Sequence, residues 1–180
     1  MSPDEEWRAI GEEVPDQWSI VGSFVLPLAS IPAAGWSAKL ALFGSDGGQD
    51  GDGGAMELAQ VLQGGLTVWI FSVLSVFVLA SSIYILAPLF VRTRDWPRAL
   101  QVAAYSSAPI WLGGFILAIP EVAYAELLAV FQAFYVLYVG LKRILGVKED
   151  NAAEYVALSI VLLTVATTLL GALGGALGML

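Results

Sequence analysis

From Leu58 to Val91 the chain carries no charged side chain. About 20 apolar residues suffice for a helix to cross a hydrocarbon core roughly 30 Å thick. This run exceeds that length, so it is predicted to form a tilted membrane-spanning helix, or one that begins as an interfacial segment near Gly64 and Gly65. Nothing between Leu66 and Ala87 offers Gly, Pro or Asn for a turn, so the stretch reads as one helix and not as a hairpin.

The rest of the chain obeys the same constraint. Charged residues make up 13% of it, against about 25% in soluble domains, and they fall in short clusters between apolar stretches. A soluble fold has to cover its surface with polar groups; here the clusters are expected to be loops between spans. The reading is an all-α polytopic membrane protein. An N-terminal segment over residues 1–17 precedes a five-helix domain over 18–180, with approximate spans 18–43, 62–90, 99–120, 122–141 and 155–179.

Within the first segment, Trp7, Ile10 and Val14 recur at helical spacing after Pro3, which predicts a short amphipathic helix. It lies either on the membrane surface or in water as an ordinary surface helix or tail. The acidic residues around it lack the basic start of a cleavable signal peptide, so it is expected to stay on the mature chain. Pro27 and Pro32 interrupt the first span and Pro109 the third, and each removes a backbone donor that lipid cannot replace. Kinks are expected there, with neighbouring helices or serine hydroxyls such as Ser106 and Ser107 satisfying the freed carbonyls. The tract Gly44–Gly54 is a hydrophilic loop; it lacks the closing Glu and flanking amphipathic helices of a calcium-binding EF-hand. Such acidic, glycine-rich segments suit a high-salt surrounding, where many carboxylates stay hydrated.

Five spans put the termini on opposite sides and so allow the positive-inside rule to be applied. Arg8, the loop with Arg92, Arg94 and Arg98, and the loop with Lys142, Arg143 and Lys148 all fall on one side, leaving Lys39 alone on the other. The basic side is predicted to be cytoplasmic, with the N-terminus inside and Leu180 outside a cell membrane. Trp18, Trp36, Trp96, Tyr124 and Tyr155 lie near span ends, as interfacial aromatics do. Trp111 falls inside the third span and reads as helix packing or lipid contact.

Catalytic constellations are hard to assemble from these residues. The chain has no His and no Cys, which removes Ser–His, Cys–His, thiolate–metal and H-E-x-x-H chemistry, and its Asp residues lie in predicted loops. No phosphate-cradling glycine motif occurs. No cofactor, metal site or enzymatic activity is therefore expected, and the net charge of −8 argues against nucleic acid as a partner. Transport usually requires ionisable groups near the bilayer midplane; only Lys39, Glu121 and Glu126 come near the membrane, all close to the outer interface. The broken helices at Pro27, Pro32 and Pro109 keep a small-molecule or ion transporter as the alternative. In the last span Gly171, Gly174, Gly175 and Gly178 form two overlapping G-x-x-x-G pairs, a face for close helix approach within this chain, in a homo-oligomer or against another membrane protein.

The order of these features resembles the YIP family, the Ypt/Rab-interacting five-span membrane proteins, in its prokaryotic branch. The resemblance is carried by Trp7 in EEWRAIGEE, by Pro88 ending the long second span, by Tyr105, Pro109 and Pro120 in ALQVAAYSSAPIWLGGFILAIP, and by Gly140 in FYVLYVGLKRILGV. It implies five spans with a cytosolic N-terminus, which the charge distribution reaches independently. Eukaryotic relatives are associated with Rab GTPases through a longer N-terminal region than the first seventeen residues here, so the resemblance does not carry small-GTPase binding over to this chain. What remains is a non-enzymatic membrane scaffold, organising partner proteins or bilayer shape.

Overall fold

The computed structural model of the chain describes residues 16–43, 58–114 and 125–176. The expected amphipathic helix with Trp7, the Gly/Asp loop, Pro120, Glu121 and Gly178 lie outside that set. All regular structure among the described residues is helical: α1 (Gln17–Ser19), a π-helical turn (Ile20–Val25), α2 (Leu26–Phe43), α3 (Leu58–Phe90), α4 (Trp96–Gly114), α5 (Ala125–Ile144) and α6 (Glu149–Ala176). Because α1, the π turn and α2 run on as one rod, the bundle has five rods.

Four of them are long and apolar enough to cross a membrane: Gln17–Ala41, Leu58–Phe90, Leu127–Ile144 and Glu149–Gly174. The long uncharged run forms α3, a single helix of 33 residues that passes through Gly64 and Gly65 without a break. The exception is α4, 19 described residues that include Arg98, Gln101, Ser106 and Ser107. Its composition follows from its position. Residues Ala99 through Ala104 are all buried, and a helix buried at six successive positions is surrounded on every side of that turn. α4 packs against α1, the π turn, α2, α3 and α5, while α6 closes the bundle against α3 and α5. A helix enclosed by protein does not need the apolarity that lipid contact demands.

Association of helices in lipid depends on close packing and hydrogen bonds, since apolar surface gains little by leaving lipid. Both are present. The Trp69 indole donates to the Leu26 carbonyl at 3.2 Å, joining α3 to α2. Phe24 meets Tyr105 edge-on at 4.8 Å, joining the π turn to α4. Tyr155 on α6 is fully buried; it donates its hydroxyl to the Ile83 carbonyl of α3 and stacks on Phe90 at 4.4 Å. A tyrosine at the start of the last span is thus an internal strut, where the sequence suggested an interfacial anchor.

The prolines act locally. Immediately before Pro27 the rod widens into the π turn, with the Leu26 N–H reaching back to the Val21 carbonyl. Serine hydroxyls take part on either side: Ser23 donates to the Ser19 carbonyl and Ser30 to the Pro27 carbonyl, both at 2.5 Å. Pro32 and Pro109 lie inside α2 and α4. Beside Pro109, Ser107 donates to the Ala103 carbonyl at 2.9 Å, one turn back along its own helix.

Glycines set the closest approaches. A side-chain carbon on Gly113 would stand 2.7 Å from the Ala129 Cβ, and one on Gly114 would stand 2.9 Å from the Pro32 Cβ and 3.3 Å from its Cα. Neither neighbour can swing aside, so these residues fix the spacing of α4 from α5 and from α2. Gly113→Ala and Gly114→Ala are each expected to destabilise the bundle by about 1–3 kcal/mol through overpacking. In detergent, thermal unfolding followed by circular dichroism is expected to shift to lower temperature for both, with Gly171→Ala unchanged because nothing lies within 4 Å of that position.

Candidate functional site

Most charged residues of the described chain gather at one end of the bundle, and local sequence explains how. α4 opens on Asp95-Trp96-Pro97-Arg98: Asp95 caps the helix by accepting from the Arg98 N–H at 3.1 Å, and Pro97 sits in the first turn, where its missing donor costs nothing. α5 ends on Lys142 and Arg143, basic residues that suit the negative end of a helix dipole. Gly146 then adopts a positive φ of 69°, and the Val147 N–H turns back onto the Leu141 carbonyl at 3.3 Å. α6 starts with Glu149 and Asp150 in its first turn, the complementary arrangement.

Two basic loops far apart in sequence are joined by one side chain. The Arg98 guanidinium holds Asp95 at 3.3 Å through Nε and donates from Nη1 to the Ile144 carbonyl at 3.2 Å, capping the end of α5. Lys142 bridges to Glu149 at 2.8 Å and lies over the Tyr138 ring at 5.0 Å. With Glu149 mostly exposed, solvent screens that bridge and it contributes little to stability. Arg94 sits over Tyr84 at 5.6 Å, and Tyr84 meets Trp96 edge-on at 5.9 Å. Arg92, Arg94, Arg143 and Lys148 are exposed. The result is a rim of cations, two of them, Arg94 and Lys142, lying over aromatic rings, interrupted by carboxylates and suited to electrostatic docking.

The remaining residues singled out in the sequence do not join this rim. Lys39 lies 5.4 Å from the Trp36 ring, on α2. Trp111 is 4% exposed and is part of the internal packing. Gly140 is buried, and Pro88 lies exposed near the end of α3. Gly171, Gly174 and Gly175 all fall on α6, beyond the stretch held by Tyr155; an added carbon at Gly171 would meet nothing within 4 Å. Around it Val161, Val165, Leu169 and Leu173 are half or more exposed. Within the chain the closest approaches are made by Gly65, Gly113 and Gly114, of which Gly65 would bring a side-chain carbon against the Ser37 hydroxyl. Sequence reasoning missed these three, although Gly64-Gly65 and Gly113-Gly114 are adjacent pairs in apolar surroundings. Among the described residues no group of three or more Asp or Glu is placed to hold a metal ion.

Removing the joining side chain should loosen the rim without unfolding the bundle. Arg98→Ala is expected to raise the rate of tryptic cleavage at Arg143 and Lys148 several-fold in reconstituted protein, while the helical content read by circular dichroism stays the same. Unchanged cleavage would mean that the loop after α5 is held by other contacts.

Against known proteins, a family model described as the Yip1 domain matches residues 1–171. No curated protein and no solved structure matches the chain.

Proposed function

The chain belongs to the Yip1 domain family of membrane proteins, and from that premise we propose that it is a non-enzymatic scaffold of the cell membrane that gathers partner proteins or further copies of itself. The observation that carries this reading is the free half of α6. Its N-terminal part is clamped to α3 through Tyr155, whereas its C-terminal part presents an apolar face with an open position at Gly171. Such a face lets a second helix approach closely. The basic rim supplies the other surface: under the positive-inside rule it faces the cytoplasm, where exposed arginines and lysines attract acidic protein segments and anionic lipid. In this orientation the N-terminus is cytoplasmic and Leu180 lies outside.

The transporter alternative draws support from the π turn at Pro27 and the prolines inside α2 and α4, because interrupted helices can build substrate sites. The distribution of charge weighs against it for ions. Among the described residues the ionisable acids and bases sit at helix ends or in the loops, with Lys39 near the far end of α2. Liposomes carrying the protein are accordingly expected to show no flux of common ions above empty controls, and a specific, saturable flux would favour transport.

Scaffolding through α6 makes a separable demand. An added carbon at Gly171 meets nothing within 4 Å, so Gly171→Leu is expected to leave thermal unfolding unchanged and to lower cross-linked dimer or partner adducts in membranes several-fold. Unaltered cross-linking would remove α6 from any assembly.

A further inference from the structure

One face of α5 changes character along its length. Leu128, Phe131, Tyr135, Tyr138 and Lys142 recur at intervals of three and four residues and so share that face. Leu128 is 71% exposed, Phe131 68% and Tyr135 50%, so no other described helix covers them. Apolar side chains come first, phenols next and an ammonium last. At 1.5 Å per residue the stripe from Leu128 to Lys142 runs about 21 Å. That is one leaflet, half of the roughly 40–45 Å that a bilayer measures with its headgroups.

The polar end of the stripe is a shaped site. Tyr135, Tyr138, Val139, Lys142 and Arg143, all on α5, line a hollow of about 140 Å³. Lys142 is held in place there: its ammonium lies 5.0 Å from the centre of the Tyr138 ring and 2.8 Å from a Glu149 carboxylate oxygen, and its side chain is 24% exposed. The bridge to Glu149 uses one of three ammonium donors. Among the described residues no carboxylate lines the hollow itself, and Arg143 adds a second cation to it. The volume is below the roughly 300 Å³ at which small-molecule sites begin, so it suits a headgroup phosphate and not a whole soluble metabolite.

We propose that this stripe binds one anionic phospholipid, upright in the leaflet at the basic rim, with its phosphate against Lys142 and Arg143, its ester oxygens beside Tyr135 and Tyr138, and an acyl chain along Phe131 and Leu128. The proposal rests on the reading of the rim as a docking surface and names its partner; it does not depend on assembly through α6. Two features select a lipid over an acidic protein segment, which would satisfy the cations alone. The stripe continues from the cations into apolar surface at the depth where acyl chains run, and its length is that of a leaflet. Charge selects among lipids, because a choline headgroup brings its own cation toward Lys142 and Arg143 whereas a glycerol headgroup does not.

The test uses the full chain, delipidated in dodecylmaltoside and titrated with dioleoylphosphatidylglycerol or dioleoylphosphatidylcholine, with bound lipid counted by native mass spectrometry. Neither orientation in a membrane nor cross-linking through α6 enters this measurement, so the proposal and the scaffold reading fail separately. The first phosphatidylglycerol is expected to bind saturably and about tenfold tighter than phosphatidylcholine. Lys142→Gln should weaken it about tenfold, as for a lost hydrogen bond to a charged group. Arg92→Gln, which removes the same charge from the other basic loop, should change it by less than about twofold, because a site at Lys142 is read at short range. Glu149→Gln, which removes the competing carboxylate, should tighten binding several-fold, a direction that misfolding does not produce. Excess glycerol 3-phosphate is expected to leave the lipid bound. Equal retention of the two lipids, equal losses for Lys142→Gln and Arg92→Gln, or displacement by glycerol 3-phosphate would each overturn the proposal, the second assigning the rim to diffuse attraction and the third assigning the hollow to soluble phosphate.

Discussion

Everything in this bundle depends on the enclosure of α4. Lipid offers no hydrogen bonds, so a helix carrying Arg98, Gln101, Ser106 and Ser107 has to be covered by other helices over its polar faces. The run of buried residues from Ala99 to Ala104 records that covering. The other four rods are arranged around or beside it, and their sequences divide the work. α3 supplies length and apolarity, the rod through Pro27 accommodates its proline with the π turn, and α6 supplies a clamp at Tyr155. The glycines at 113 and 114 let α4 sit close enough to α5 and α2 for the arrangement to close.

The same enclosure organises the basic end. Arg98 begins α4, and its guanidinium reaches the last carbonyl of α5, so the loop before α4 and the loop after α5 become one surface. Asp95 positions that arginine while capping its helix, which couples a local sequence signal to a contact spanning 46 residues. At the opposite extreme, α6 passes beyond the contacts that hold its start and leaves an apolar face for lipid or a neighbour. The described residues thus combine a packed interior, a charged rim and an open helix face.

Much of this was legible in the sequence, because the bilayer imposes length and charge rules that a single chain displays openly. The all-helical class and the unbroken second span came from apolar runs and loop charges, and the resemblance to the YIP family, seen again in the Yip1 domain match over residues 1–171, from the pattern around Trp7, Pro88, Tyr105, Pro109, Pro120 and Gly140. Pairwise contacts were not legible. Gly171 matches a packing motif by spacing, yet an added carbon there would meet nothing, and among the described glycines the approaches to other helices are made by Gly64, Gly65, Gly113 and Gly114, which carry no such spacing. Tyr155 looked interfacial because it stands near a span end; only the crossing of α6 over α3 makes it an internal donor.

The central claim is that α4, although the least apolar rod, crosses the membrane, so that five crossings separate the termini. The chain has no cysteine, so single cysteines at Ser2, Ser45, Thr93, Asn151 and Leu180 can be probed in intact cells with a membrane-impermeant thiol reagent. The account predicts labelling from outside at Ser45 and Leu180 alone. Labelling at Ser45 and Asn151 with Leu180 protected would mean that α4 does not cross, and would contradict it.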